Sequence, residues 1–418
     1  MNEKKTLCVA AARYLAVFLK WLLIAGLVGG VGGLVGSLFH LSVEYATGFR
    51  EAHPGAIWFL PLGGLVIVLL YRLCRISGST GTNQVICCIR TEEQVPALLA
   101  PLIFVSTVIT HLLGGSAGRE GAALQLGGCI GTQAGRLFRL DEKDMHLAVL
   151  CGMSGVFSAL FGTPLTATLF ALEVVSVGVL YYSGFVPCLA ASLVACRVSL
   201  AFGVPPTRYV LQGVPELGGV VMLQVLALSV LCALLSILFC VAIHKGEALA
   251  FRFLPNEWVR IALGGAVLIG LTYLVGTRDY NGAGMQVISA ALSGAARPEA
   301  FLWKLLFTAV TVSAGFKGGE IVPTFFVGAT FGCFAGGLLG LNPGFGAALG
   351  LVALFCGVVN CPVASIILSI ELFGAKGLLL FAVACGVSYV LSGYYGLYSG
   401  QKIMYSKLRA EYININTK

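Results

Sequence analysis

Gly114-Gly115-Ser116-Ala117-Gly118-Arg119-Glu120-Gly121 places an ionisable pair at the end of a glycine-rich turn, directly before the apolar segment 122–130. The first backbone N–H groups of a helix have no intrahelical partner and carry partial positive charge, so such a terminus favours an anion. Glu120 is itself an anion placed at that end. Ionised, it can fill an anion site, and protonated, it can leave it. One carboxylate can in this way couple an anion to a proton. The plainer alternatives are a helix cap or an ion pair with Arg119.

The surrounding chain decides what medium this turn sits in. Of its 418 residues 58% are hydrophobic and 11% charged, against about 25% charged in ordinary soluble domains. That shortfall excludes a water-soluble fold and points to an all-α polytopic membrane protein. Gly, at 55 positions, suits helices whose backbones approach closely inside a bilayer. An ionisable residue at membrane depth costs at least about 2.5 kcal/mol and is functional by default, which favours the site reading of Glu120. The net charge of +8 gathers at the chain ends, in Lys4, Lys5, Arg13 and Lys20 and in Lys402, Lys407, Arg409 and Lys418. It is read as membrane topology with both termini cytoplasmic, not as a nucleic-acid surface. The cysteines lie mostly within apolar runs and form no C-x-x-C pair, so neither a metal nor any other cofactor is expected.

A membrane-spanning helix needs about 20 apolar residues. Candidate spans are 16–39, 57–73, 97–113, 146–175, 177–202, 217–243, 259–275, 301–314, 322–341, 347–373 and 377–391. The first lacks a cleavage site and reads as a retained helix. Segment 127–135 is short and Gly-rich, and Thr163-Pro164 and Cys361-Pro362 interrupt two long runs. Broken helices of this kind line cavities and are where transporters place ion sites. No regulatory domain is expected after residue 400.

The interrupted regions repeat. Ser116-Ala117-Gly118 leads to Glu120 and then Gly127 and Gly131, while Ser313-Ala314-Gly315 leads to Glu320 and then Gly328 and Gly332. Pro164 precedes Glu173 by the same interval as Pro362 precedes Glu371. The chain therefore reads as one transmembrane transport domain, 1–418, with a first repeat over roughly 60–202 and a second over roughly 257–400. A duplication with matched broken helices points to a transport site at the repeat interface. Because Glu173 and Glu371 recur once per repeat, they are expected to cap or pair. Glu320 is read either as a proton relay or as a cap.

Gly118-Arg119-Glu120-Gly121 resembles the G-R/K-E-G-x motif of the CLC anion transport superfamily, whose Glu is the external gate. Gly319-Glu320-Ile321-Val322-Pro323 resembles its G-x-F-x-P motif, and Tyr398 resembles the late tyrosine that closes the anion site from inside. Gly81-Thr82-Asn83-Gln84-Val85 stands where the family has G-S-G-I-P. The resemblance implies a CLC-type fold of two inverted repeats with broken and tilted helices, a homodimer, and a Glu120 gate over an anion site near Thr82, Asn83, Gly121, Ile321, Val322 and Tyr398. Missing serine, the form Thr110 to Gly121, the run Gly315 to Glu320 and the ending Gly396 to Gln401 look most like the fluoride/proton antiporter branch. Val174 stands where chloride/proton exchangers carry an internal Glu, and Val322 where the branch often has Thr. The resemblance thus implies a proton-coupled fluoride exporter in a bacterial plasma membrane, with a chloride channel or exchanger as the alternative. Segments 172–180 and 347–373 are expected at the subunit interface. Fluoride or chloride, protons and membrane lipid are the partners implied.

An intramembrane hydrolase is a remote rival. Gly152-Met153-Ser154-Gly155 and Gly114-to-Gly118 match short serine motifs, but a serine nucleophile needs a base within reach. The chain has only five His, and no H-E-x-x-H motif exists. For Thr82 and Asn83 the plain alternative is a helix cap, and for Tyr398 an interfacial anchor.

Overall fold

A computed structural model describes the backbone of residues 2–76, 81–91 and 95–418, with side chains from residue 10 onward. Lys4 and Lys5 lie outside the described side chains. The apolar runs fold as helices: α1 (Asn2–Ala52), α2 (Leu60–Leu73), α3 (Thr82–Cys88), α4 (Leu99–Leu113), α5 (Glu120–Leu137), α6 (Glu142–Phe161), α7 (Pro164–Glu173) and α8 (Phe185–Ala201). There follow α9 (Gly219–Phe253), α10 (Glu257–Val275), α11 (Met285–Leu292), α12 (Ala300–Ala314), α13 (Ile321–Leu338), α14 (Pro343–Val359), α15 (Pro362–Phe373) and α16 (Leu378–Leu391). Among the described residues, seven helical segments are long and apolar enough to cross a membrane, and five shorter helices are also apolar.

Several expected boundaries change. Residues 127–135 are not a broken piece but the interior of an uninterrupted 18-residue α5. Their glycines serve contact: a Cβ on Gly127 would lie 2.3 Å from the carbonyl oxygen of Gly152 on α6. In the second half, a Cβ on Gly328 would lie 2.5 Å from the carbonyl oxygen of Gly350 on α14. Both helix pairs therefore pack backbone against backbone. The span expected from residue 177 starts instead with a short strand and a 3-10 turn before α8. Every residue of 347–359 is buried inside the chain, so that stretch cannot meet a second subunit.

The halves share their local devices. Asp141 and Asn342 cap α6 and α14, accepting from the N–H of Asp144 at 2.8 Å and of Phe345 at 3.1 Å. Those helices end in left-handed residues, Gly162 and Asn360. Each is then followed by a proline at the first position of the next helix, where the missing N–H costs nothing. Glu173, at the end of α7, accepts from the N–H groups of Val363 at 3.2 Å and Ala364 at 2.9 Å, the free start of α15. Glu371, at the end of α15, accepts from Leu165 at 3.0 Å and Thr166 at 2.8 Å at the start of α7. The last turn of each helix thus caps the first turn of the other, so the two run antiparallel and the repeats are inverted.

A three-stranded sheet adds to the helices. Strand β1 (Ser176–Val177) pairs in parallel with β2 (Lys402–Tyr405), which pairs antiparallel with β3 (Tyr412–Asn416). The chain after the last helix is therefore docked. Gln401 donates from Nε2 to the carbonyls of Val174 and Val359, each at 2.9 Å. Thr417 donates to the carbonyl of Tyr398 at 2.6 Å.

Candidate functional site

Two matching turns build the centre of the molecule. α4 stops at Gly114, with φ of +95°, and the chain turns through 115–119 into α5. α12 stops at Gly315, with φ of +103°, and turns through 316–320 into α13. Both stops need the left-handed conformation that glycine adopts without strain. The turns meet at Gly118 and Gly319, each donating its N–H to the other's carbonyl, at 2.6 and 2.7 Å. The starts of α5 and α13 abut at this bridge, and their unpaired N–H groups converge there.

Glu120 sits at the convergence, fully buried. Its Oε2 accepts from the N–H of Arg119 at 2.9 Å, and the N–H of Val322, at the start of α13, also faces the carboxylate. Arg119 Nε stands 3.8 Å from Oε1, which has no hydrogen-bond partner among the described residues. The carboxyl group thus occupies the place where two helix starts offer donors, a seat that favours an anion.

The bridge separates two cavities. Glu120 and Val322 line one, of about 870 Å³, together with Arg50, Arg119, Arg208 and Arg278. Thr82, Asn83, Glu320 and Tyr398 line the other, of about 170 Å³, together with Gln125 and Lys317. The residues expected to form a single anion site are therefore distributed over both sides of a wall. Gly121 and Ile321 belong to the wall and line neither cavity. Gly121 is close enough to Thr82 that a Cβ there would lie 3.1 Å from Thr82 Oγ1, and Ile321 is fully buried.

Side-chain contacts refine each role. Thr82 donates from Oγ1 to the carbonyl of Gly121 at 3.3 Å. Asn83 accepts from the N–H of Gly400 at 3.0 Å, so its amide oxygen already fixes the loop that carries Tyr398. The Tyr398 hydroxyl and Gln125 Oε1 are buried without a hydrogen-bond partner among the described residues. An unpaired buried donor and acceptor on one small cavity invite a polar or ionic guest. Gln125 was not singled out from sequence; its position four residues after Gly121, on the same helix face, was the available signal. Its Nε2 donates to the Gly121 carbonyl at 3.3 Å.

The wall is braced from both halves. His111 Nε2 lies 3.2 Å from the carbonyl of Gly118, Arg50 donates to the carbonyl of His111 at 2.8 Å, and Asn281 donates to that of Gly114 at 2.8 Å. Lys304, wholly buried, donates to the carbonyls of Tyr280 at 3.2 Å and Gly282 at 2.6 Å. The serines of the hydrolase motifs are engaged in packing: Ser154 donates to the carbonyls of Cys151 and Cys188, and Ser116 pairs with Thr308.

Comparison with known proteins agrees with this geometry. A chloride/fluoride channel protein of Pseudomonas syringae pv. tomato is 37% identical over 395 residues, covering 93% of this chain and 87% of the relative. A proton/chloride exchange transporter of Vibrio cholerae is 25% identical, covering 93% and 88%. The crystal structure of a CLC-type fluoride/proton antiporter superposes with a TM-score of 0.89 at 32% identity, covering 92% of this chain and 98% of that one. A slow cyanobacterial Cl−/H+ antiporter, at 19% identity and a TM-score of 0.76, shares the fold. The model of the voltage gated chloride channel family matches residues 63–393, and that span contains the bridged turns, the buried Glu120 and the antiparallel capped helices: this chain is a member of that family.

Proposed function

We propose that this protein is a proton-coupled fluoride exporter, exchanging fluoride for protons across the membrane. The observation that carries the reading is the seat of Glu120, buried at the meeting of two helix starts between two cavities. Ionised, Glu120 fills that seat. Protonated, it loses its attraction to the N–H groups and swings into the larger cavity, and an anion takes its place. An anion and a proton then move in opposite directions through one group. Fluoride is small and strongly hydrated, so its site must replace water with several directed donors. Tyr398 supplies a free side-chain donor on the smaller cavity, beside Thr82 and Gln125, whose own donors are held by the Gly121 carbonyl, and the starts of α5 and α13, at Gly121 and Ile321, supply backbone N–H. Glu320, on that same cavity, serves as the proton's inner station. Two relatives support the choice of ion, one named for chloride and fluoride and one for fluoride/proton antiport.

The same reading holds that the chain works as one transport domain of two repeats, roughly 60–202 and 257–400. It forms a homodimer in a bacterial plasma membrane with both termini cytoplasmic. The larger cavity then opens outward and the smaller one inward. Apolar side chains exposed on the capped pair, Leu165 and Val363, and on α8, Val186 and Leu193, suit the face that meets a second copy.

The test is efflux from liposomes carrying the purified protein, loaded with fluoride or chloride, with external pH recorded. Fluoride efflux well above chloride, with protons moving the opposite way, is expected. Fast chloride efflux with no pH change would make the protein a chloride channel.

A further inference from the structure

The structure points to a lipid site on the outer flank of α9, α10 and α12, bordering the smaller cavity at Arg260. We infer that the groove between α9, α10 and α12 seats an anionic phospholipid, with an acyl chain along the groove and its phosphate on Arg260 and Lys245.

The groove, about 610 Å³, exists because small residues let its walls approach. A Cβ on Gly246 would lie 2.8 Å from Ser313 Oγ, and one on Gly264 would lie 2.2 Å from the Cβ of Ala314. Leu249, Leu263, Val267, Leu302 and Leu306 stand exposed along its flanks. The groove is polarised along its length. α9 runs toward Leu254 and α12 toward Ser313, while α10 begins beside Leu254 and runs the other way. Arg260, Lys245 and Ser313 therefore gather toward one end, and Val267 and Leu302 leave the far end apolar.

The polar end has unused capacity. Arg260 is only 7% exposed, yet its Nε has no hydrogen-bond partner among the described residues. Its Nη1 donates to the carbonyls of Leu254 at 3.0 Å and Pro255 at 3.5 Å, and its guanidinium lies 4.0 Å over the Phe251 ring. These contacts hold the fork in place, and the nearby carboxylates of Glu257 and Glu247 stay beyond ion-pair distance of it. Ser313, 6% exposed, also has an unpaired hydroxyl on the groove. No carboxylate lies within ion-pair distance of Arg260 or Lys245 among the described residues. A fixed guanidinium fork, a free ammonium and a hydroxyl above an apolar trough match the phosphate of a glycerophospholipid whose acyl chain lies in the trough. Free phosphate has no use for the trough, and a neutral lipid none for the cations.

The test is native mass spectrometry of the purified protein titrated with phosphatidylglycerol or phosphatidylcholine of identical chains, which reads lipid retention without any transport assay. Phosphatidylglycerol is expected to be retained preferentially. Each cation contributes roughly fivefold to that preference, so Lys245→Gln lowers it roughly fivefold and Lys245→Gln with Arg260→Gln roughly 25-fold. Because Arg260 also ties the α9–α10 connection, Ala309→Trp provides a second probe: it fills the trough and should displace the lipid with both cations intact. Equal retention of the two lipids by the wild-type protein overturns the inference. So does a preference that survives Lys245→Gln and Ala309→Trp, or competition by inorganic phosphate as effective as by the lipid.

Discussion

Gly118 and Gly319 exchange both backbone hydrogen bonds, at 2.6 and 2.7 Å, so the two halves of the chain meet between the cavities as a minimal antiparallel ladder. The contact is main chain on main chain, and it has no side chain that could rotate aside.

Substitutions at these two glycines should therefore behave differently. A Cβ on Gly319 would stand 2.4 Å from the nitrogen of Gly121 and 2.9 Å from that of Glu120, both backbone. Gly319→Ala should cost about 1–3 kcal/mol and lower the melting temperature. A Cβ on Gly118 would meet chiefly Glu120 Oε2, at 2.4 Å, the mobile end of a side chain. Gly118→Ala should keep a nearly wild-type melting temperature and alter transport. Thermal unfolding beside liposome flux separates the two, and the opposite ranking would refute a rigid main-chain wall.

Glu120→Gln keeps the size and the hydrogen-bonding reach of the side chain but removes its titration. Proton flux should fall by on the order of 100-fold, the scale of losing a proton-transfer group, with the protein still eluting as a folded species. Unchanged acidification of the medium would remove Glu120 as the carrier.

Asn83 holds the Tyr398 loop through the N–H of Gly400. Asn83→Ala should cost about 1 kcal/mol for that bond and should raise hydrogen exchange over 396–401 more than elsewhere. Discrimination of fluoride from chloride should weaken in the same variant. Selectivity that stays at the wild-type value would restrict Asn83 to a structural tie.

Glu371 accepts from two N–H groups at the start of α7. Glu371→Ala removes a cap and should cost about 1–2 kcal/mol, seen as a lower unfolding temperature, while the fluoride-to-chloride ratio stays constant. A changed ratio without destabilisation would place Glu371 in the ion path.

The site was legible where chemistry is written in local sequence. A Glu after Gly118-Arg119, a matching turn at Gly319-Glu320 and a late Tyr398 each stand at a helix start or chain reversal, and each lies on the wall or on a cavity. Pro164 and Pro362 marked the broken helices for the same reason. What sequence hid was which side of the wall each residue faces, since that depends on how two distant turns interlock. The run 127–135 misled because its glycines serve helix contact across to Gly152, not helix breaking. α3 and α11 were missed because seven or eight residues make too short an apolar run to register as spans. The terminal strands did leave a signal, the alternation Tyr412-Ile413-Asn414-Ile415-Asn416. Gln401 closed the Gly396-to-Gln401 ending that carried the resemblance, but nothing local showed that it would bond Val174 and Val359.

The crossed caps of α7 and α15 also set an order in time. Glu371 is made 206 positions after Leu165, whose N–H it accepts. At ribosomal rates of about 5–20 residues per second, that separation lasts roughly 10–40 s. Throughout that interval the first half waits in the membrane with the start of α7 uncapped, and Glu173 waits with no helix to serve. Neither half is a finished module at birth. The nascent protein becomes competent only when its last broken helix arrives, and a ribosome that stalls before residue 371 releases a first half that has never been closed.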